Sequence, residues 1–186
     1  TVIRVTSPRP IRWNEREYPS PIDVLRTSEG LAIVNELPLE EYLAGVLRAE
    51  ASDKWPLEAL RAQAIAARTY AVFHRRLNTG KPYHILASTA HQGYFGVVPE
   101  TSPLRAAVRE TEGEILLLGG EVFPAFYHTD SGGFTEDPRL IFMAPNMPPL
   151  RGVRSEFSTG SPHATWTLEL RLRAVMEALR RHDIHL

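Results

Sequence analysis

The sequence contains no cysteine among its 186 residues. This absence excludes disulfides, thiol nucleophiles, iron–sulfur clusters and any cysteine-ligated zinc site within the chain. Lysine is also scarce, because only Lys54 and Lys81 occur, and arginine therefore supplies almost all of the positive charge. The formal net charge is −1. A chain this close to neutrality has no overall attraction to nucleic acid or to an anionic membrane.

Long apolar runs are missing as well. No run approaches the ~20 residues that cross a bilayer, and no signal peptide opens the sequence. Because Thr1 is not a natural initiator, we expect that an N-terminal segment has been removed or left out. The composition that is present, 43% hydrophobic and 23% charged residues, is that of a globular protein. At this length it predicts one domain over residues 1–186.

Short β-prone pieces come first along the chain. Residues 1–22 hold four prolines between such pieces, which predicts an extended N-terminal arm or an edge strand. Residues 22–25 and 30–35 predict two strands joined by a turn. Further along, two apolar runs on either side of Gly119-Gly120 predict a hairpin with a two-residue turn.

Helical periodicity begins at Leu39. The apolar spacing predicts an amphipathic helix over residues 39–50, and an alanine-rich, largely buried helix begins near Pro56. Three arginines recur every seven residues along this second helix and predict one polar stripe; they are Arg61, Arg68 and Arg75. Further helices are predicted over residues 104–110 and 171–181. Helices and antiparallel strands in separate blocks predict an α+β fold, with an antiparallel or mixed sheet packed with a pair of central helices.

Glu50 is the first candidate for chemistry. It follows Val46 and Leu47 at helical spacing, so the pattern predicts that its side chain continues the apolar stripe and faces inward. A carboxyl held against apolar groups keeps its proton more readily and can act as a general acid. The alternative is a structural glutamate at a helix end that pairs with Arg48 or Arg68.

The segment Tyr127–Gly133 is the second candidate. Its Asp-Ser-Gly-Gly sequence looks like the nucleophile motif of trypsin-like proteases, but only 40 positions separate Ser131 from the matching His91, too few for the two β-barrels of that fold. We instead predict a tight turn at Gly132-Gly133, whose free backbone N–H groups line a pocket together with the Ser131 hydroxyl. An ordinary hairpin end remains the alternative.

Histidine offers little support for a metal site. His84, His91 and His128 lie in irregular segments, and neither an HExxH motif nor a histidine pair at i, i+4 spacing occurs. A zinc site needs three or four converging ligands. The sequence therefore predicts solvated loop histidines, with no metal and no cofactor.

Five main segments of the sequence, which occur in a fixed order, carry a resemblance to one protein family. Residues 149–153 and Trp166 match the closing part of that family's pattern as well. Together the matches cover about residues 29–166, and the set resembles the SpoIID/LytB family (stage II sporulation protein D). The five main segments are residues 34–43 (VNELPLEEYL), 50–71 (EASDKWPLEALRAQAIAARTYA), 92–96 (QGYFG), 107–113 (AVRETEG) and 126–136 (FYHTDSGGFTE).

The resemblance implies a domain that acts on peptidoglycan. Members of this family are lytic transglycosylases, which cut glycan strands between N-acetylmuramic acid and N-acetylglucosamine and leave a 1,6-anhydro sugar without consuming water. The family's catalytic glutamate corresponds to Glu50. The remaining matches with motif positions imply substrate-binding residues: Tyr127, Ser131, Gly132, Gly133, Gln92, Tyr94 and Arg68.

The resemblance also implies partners and a location. Peptidoglycan glycan strands are the expected substrate, a cell-wall amidase is a candidate partner, and the expected location is extracytoplasmic. A peptidoglycan-binding module that enhances a separate amidase, without catalysis of its own, is the alternative function. The chain departs from the family where many members carry Met after the glutamate, since Ala51 stands here. Some members bind zinc through one His and two Cys. A His-based replacement at His91 is conceivable, but we predict metal independence.

Overall fold

The computed structural model describes residues 2–142, 147–158, 160 and 167–181. The backbone divides into two compact units, Thr1–Tyr127 and His128–Leu186. The expectation that residues 1–186 form one domain stays a prediction. Trp166, the last residue of the family resemblance, lies outside the described residues.

The strands of the first unit form one small sheet and two hairpins. The sheet has the order β1-β4-β5 and is antiparallel throughout, with Val24 opposite Ile33. The predicted N-terminal arm supplies the edge strand β1 and a separate β2–β3 hairpin. The strands are β1 (Val2–Val5), β2 (Ile11–Trp13), β3 (Arg16–Tyr18), β4 (Ile22–Thr27), β5 (Gly30–Asn35), β6 (Leu117–Leu118) and β7 (Glu121–Val122).

The β6–β7 hairpin confirms the turn predicted at Gly119-Gly120. Both glycines have positive φ, 58° and 86°, the conformation that a two-residue hairpin turn of this type requires. The strands are only two residues long, because helix side chains take up the preceding backbone: the Glu114 carbonyl accepts from Arg68 and the Leu116 N–H donates to Thr69 Oγ1. The ladder therefore cannot extend toward residue 114.

Three helices pack together in the first unit: α1 (Leu39–Glu50), α2 (Leu57–Leu77) and α3 (Pro103–Glu110). The predicted helix over residues 39–50 and the long helix after Pro56 are both confirmed. Helix α3 begins after Ser102, whose hydroxyl accepts a hydrogen bond from the Leu104 N–H. This is the usual way to satisfy a free N–H at a helix start.

The hydrophobic core lies among these three helices and residues 94–98. Small residues on α2 let its neighbours approach, and Ala64 and Ala67 are completely buried. Helices and antiparallel strands in separate blocks confirm the predicted α+β class. The members of the core are Leu43, Ala44, Val46, Leu47, Leu60, Ala64, Ala67, Tyr94, Val98, Leu104, Ala107 and Val108.

The predicted polar stripe on α2 is wrong at its centre. Arg68 is 1% exposed, because the amino-terminal end of α1 and helix α3 cover this face. Its guanidinium donates to Glu40 at 2.7 Å, to the Val108 carbonyl at 3.0 Å and to Thr111 Oγ1 at 3.3 Å. Arg61, one heptad earlier, is partly exposed and pairs with Glu110 of α3. Arg61 and Arg68 thus mark a helix–helix interface, while Arg75 is exposed.

The described residues of the second unit form two helices, α4 (Pro138–Phe142) and α5 (Leu172–Arg181), and short 3₁₀ turns at Pro148–Leu150 and Glu156–Ser158. Helix α5 confirms the C-terminal helix predicted over residues 171–181. Within the described ranges of both units, no helix has the length and apolar character needed to cross a membrane.

Candidate functional site

Glu50 is the last residue of α1, and its side chain is exposed. The prediction that it faces inward is wrong. Helix α1 stops at this residue: the Ala51 N–H donates to the Leu47 carbonyl at 2.9 Å, and Ala51 itself is extended. The apolar stripe therefore ends one turn before Glu50, and the carboxyl reaches the surface.

The backbone of Gly93 holds the Glu50 carboxylate in place. The Gly93 N–H donates to Glu50 Oε1 at 2.6 Å. A Cβ at position 93 would lie 2.8 Å from the Cβ of Ala49 and 2.9 Å from Glu50 Oε1. Only glycine allows the chain to come this close to the helix end without displacing one of these groups. Gly93 is thus a positioning residue for Glu50.

A second glycine brings this segment onto α1. The Phe95 N–H donates to the carbonyl of Gly45 at 3.1 Å. A Cβ on Gly45 would lie 2.3 Å from the Tyr94 ring and 2.7 Å from the Gly96 carbonyl oxygen. Because Gly45 has no side chain, residues 94–96 can pack directly on the middle of α1. Gly93, which precedes them, then lies beside Glu50.

Gln92 lies beneath this surface and connects two tyrosines. It is 1% exposed. The Tyr42 hydroxyl donates to its Oε1 at 3.0 Å, while its Nε2 donates to the Tyr127 hydroxyl at 3.0 Å and to the Ala67 carbonyl at 3.2 Å. A buried amide with both donor hydrogens in use has nothing to offer a ligand at the surface. The geometry thus makes Gln92 a support for the two tyrosines, and its contact with substrate stays a prediction.

Within this network, Tyr127 lines the same cleft as Glu50. Burial raises its pKa, the hydrogen bond from Gln92 opposes that rise, and the charge of Glu50 adds to it. The hydroxyl is therefore protonated at neutral pH. Because it accepts from Gln92, its own hydrogen remains to be donated.

Tyr94 presents less to the site. It is 8% exposed, its hydroxyl donates to Asn35 Oδ1 at 3.0 Å, and burial raises its pKa. Its ring contributes a wall of the cleft, while its polar end is already engaged. Arg68, predicted to bind substrate, is buried in the helix interface described above. It does not line the cleft.

Glu50 lines a cleft of about 430 Å³ in the first unit. Among the described residues that line it, Glu50 is the one acid and Arg16 the one arginine. Aromatic rings and small polar groups make up most of the remainder. The lining residues are Arg16, Ala49, Glu50, Ala87, Ser88, Thr89, His91, Gly93, Tyr94, Phe95 and Tyr127.

The turn at Gly132-Gly133 belongs to the second unit. Both glycines have positive φ, 64° and 101°, so the predicted tight turn is present. Its N–H groups are not free as predicted, because Gly132 donates to Asp130 Oδ1 at 2.7 Å and Gly133 to Ser131 Oγ at 3.3 Å. The Ser131 hydroxyl also lies 2.9 Å from that of Ser158. Convergence of this turn with Glu50 stays a prediction.

Two histidines of the first unit, His74 and His91, contact the ring of Tyr70. His91 lines the cleft and its ring centre is 4.7 Å from that of His74. Burial lowers the pKa of His74, and so does the nearby His91. Within the described ranges, no three or more His, Asp or Glu side chains are arranged to hold a metal ion. Metal independence stays a prediction.

Sequence reasoning missed Arg16. Its guanidinium lies 3.7 Å above the centre of the Phe95 ring. Nothing in the local sequence indicates this contact, since 79 positions separate the two residues. Phe95 and Gly93 do lie inside the QGYFG motif, which was recognised without a role for either residue.

Comparison with known proteins agrees with the motif resemblance. Residues 27–118 match the family model described as stage II sporulation protein, SpoIID. The chain is 30% identical over 162 residues to stage II sporulation protein D of Bacillus amyloliquefaciens, which covers 79% of this chain and 46% of that protein. It is 32% identical over 173 residues to an uncharacterised protein of Brachyspira hyodysenteriae, covering 92% of this chain and 46% of the relative.

A third relative has a different name. The amidase enhancer of Bacillus subtilis is 36% identical over 128 residues, which cover 69% of this chain and 17% of the enhancer. The chain thus spans less than half the length of each of these relatives.

Proposed function

Because this chain belongs to the SpoIID family, we propose that it is a peptidoglycan lytic transglycosylase in which Glu50 is both general acid and general base. The observation that carries the proposal is the position of Glu50: it is the one acid among the described residues lining the cleft, and the Gly93 N–H orients it. Family membership and the enhancer relative both support a role at the cell wall. The proposed location is extracytoplasmic.

A single carboxyl can complete this reaction. Protonated Glu50 gives its proton to the glycosidic oxygen while the bond from that oxygen to the anomeric carbon of muramic acid breaks through an oxocarbenium-like transition state. The carboxylate then takes the proton of the muramic acid O6 hydroxyl as O6 bonds to the anomeric carbon. The products are a shortened strand and a 1,6-anhydro end, and the proton count on Glu50 is restored.

Glycoside hydrolases that use water require a second carboxyl at a defined separation. Three acids near the motifs are candidates for it: Glu58, Asp130 and Glu136. Glu58 pairs with Arg61 on the surface of α2 and does not line the cleft. The other two belong to the second unit. The first unit alone therefore favours the one-carboxyl reaction.

Other residues of the site would bind the strand. Tyr127 has a hydrogen to donate beside Glu50 and suits a sugar hydroxyl or acetamido oxygen. Ser131 and the Gly132-Gly133 turn are proposed to contact the glycan as well, on the strength of the family motif. Gln92 and Arg68 contribute by holding the tyrosines and the helices that frame the cleft.

The relative named amidase enhancer favours a second candidate function. In this case the chain binds peptidoglycan and stimulates a separate cell-wall amidase without cutting the glycan. Glu50 would then be a surface residue without a chemical task.

Product analysis separates these possibilities. The chain is incubated with purified glycan strands, with and without stem peptides, and the fragments are treated with borohydride before mass spectrometry. Reducing ends gain hydrogen under this treatment, whereas 1,6-anhydro ends are acetals and do not react. We expect unreacted anhydro ends.

Two other results would contradict the proposal. Borohydride-reactive ends indicate hydrolysis by water. An absence of fragments, with faster release of stem peptides when an amidase is added, indicates the enhancer function.

A further inference from the structure

The β2–β3 hairpin lies outside the family match and still reaches the Glu50 cleft. The match begins at residue 27, while the hairpin covers Ile11–Trp13 and Arg16–Tyr18. Asn14 and Glu15 form its turn with positive φ, 45° and 65°, as in a two-residue hairpin turn. Arg16 follows at once and lines the cleft together with Glu50.

The hairpin is fixed to the same segment that orients Glu50. The Val97 N–H donates to the Glu17 carbonyl at 2.8 Å. Gly96 has φ +72°, and a Cβ there would lie 2.0 Å from the Glu17 carbonyl oxygen. This close approach of two backbones requires glycine. The position of Arg16 is thus tied to residues 93–97.

The Arg16 guanidinium is stacked but not neutralised. It lies 3.7 Å above the centre of the Phe95 ring, a cation–π contact that restricts the side chain. Throughout the part of the chain that the structure describes, no carboxylate forms an ion pair with Arg16. Because Arg16 is exposed and lines the cleft, its N–H donors are accessible there, and a carboxylate can bind them with two hydrogen bonds.

We propose that Arg16 binds a carboxylate of the glycan strand and thereby selects the strand that enters the cleft. The inference rests on the proposed function, since it takes a peptidoglycan strand as the ligand. Sugar rings of the strand are neutral, so its carboxylates are the groups that an arginine can distinguish. They have two sources: the lactyl group of a muramic acid without a stem peptide, and the carboxylates of the stem peptide itself.

Binding measurements with paired ligands test the proposal. Calorimetric titration uses the Glu50→Gln chain, which prevents turnover, and compares stem-free glycan oligosaccharides with the same oligosaccharides after conversion of their lactyl carboxylates to methyl amides. A second pair consists of stem-bearing oligosaccharides with free or methyl-amidated peptide carboxylates. Each pair is measured again with Glu50→Gln chains that carry a second substitution, Arg16→Gln, Arg16→Lys or Arg12→Gln. Arg12→Gln is the control, because Arg12 is an exposed arginine on the neighbouring strand.

The expected result is about five- to tenfold tighter binding of the free carboxylate in one of the two pairs, because a charge-assisted hydrogen bond is worth more than a neutral one. The pair that shows the preference identifies the source of the carboxylate. Arg16→Gln should remove it, Arg16→Lys should keep part of it, and Arg12→Gln should leave it unchanged. Salt should reduce it.

Equal binding within both pairs would overturn the inference, as would an equal loss in Arg12→Gln. Both outcomes leave the proposed function standing if the wild-type chain still yields anhydro ends. If binding shows a carboxylate preference that depends on Arg16, but the wild-type chain cuts no strand, the proposed function alone is overturned.

Discussion

The carboxylates at the two ends of helix α1 differ in their hydrogen-bond partners. At the amino end, Glu40 bonds to the buried Arg68 at 2.7 Å, and Glu41 binds Arg105 through both oxygens at 2.7 and 2.9 Å. At the carboxyl end, Glu50 is exposed and accepts from the Gly93 backbone. Across the described part of the chain, no arginine or lysine pairs with Glu50.

This difference separates structural acids from the proposed catalytic one. The positive end of the helix dipole favours the charges of Glu40 and Glu41, whereas the negative end disfavours a charge at Glu50. Acids at the amino end therefore stabilise the packing of the three helices. The acid at the other end gains little stability from its position, which leaves it available for chemistry.

Removal of Arg68 should have the largest effect on stability. Arg68→Ala leaves Glu40 without its partner at a helix interface and deprives the Val108 and Glu114 carbonyls of a donor. Loss of one partner of a buried ion pair costs about 3–5 kcal/mol of unfolding free energy. Urea denaturation measures it, with Arg75→Ala as control, since Arg75 is one heptad further along α2 and exposed. Equal shifts in both variants would show that Arg68 has no special structural task.

Gly93→Ala should have an intermediate effect and act on both stability and activity. The new Cβ forces Ala49 or the Glu50 carboxylate to move, and overpacking of this kind costs about 1–3 kcal/mol. The rate of glycan cleavage should fall by a larger factor than the loss of stability alone explains, because the proposed catalytic carboxyl loses its orientation. Normal cleavage by a chain with an unchanged unfolding curve would mean that the contact between Gly93 and Glu50 is unimportant.

Glu41→Gln should have a smaller effect that depends on pH. The hydrogen bonds from Arg105 lower the pKa of Glu41 below its usual value of 4.5. Its contribution to stability is therefore complete above the unfolded pKa and disappears as the pH falls through the folded pKa. Because Glu41 is partly exposed, we expect the substitution to cost about 1 kcal/mol at neutral pH and almost nothing in acid. Urea curves at both pH values measure this, with Glu112→Gln as control. A cost that does not change with pH would contradict the assignment.

The helices and turns of the first unit could be predicted because their signals are local. The spacing of apolar residues after Leu39 indicates α1 over its observed length, and Gly119-Gly120 indicates its turn. The length of the two strands beside that turn could not be predicted. They are short because Arg68 and Thr69, which are distant in sequence, form hydrogen bonds with the backbone of residues 114 and 116.

The site was predictable only in part, and for the same reason. The motif indicates Glu50, but periodicity extends the apolar stripe to this last residue of α1, one turn beyond the last buried position of the helix. A heptad of arginines looks alike whether water or another helix covers it, and burial of Arg68 depends on Glu40 and Thr111. Arg16 reaches the cleft through a hairpin whose docking on Gly96 leaves no local signal.

The most direct test of the account is substitution of Glu50 by Gln, with glycan cleavage and urea unfolding measured on the same preparation. Glu58→Gln is the control, because Glu58 is an exposed glutamate on α2 that pairs with Arg61. We predict that Glu50→Gln lowers the cleavage rate about 10²–10⁴-fold while the unfolding free energy stays within about 0.5 kcal/mol of wild type. Glu58→Gln should cleave normally. Undiminished formation of anhydro ends by Glu50→Gln would contradict the central claim that this carboxyl performs the chemistry.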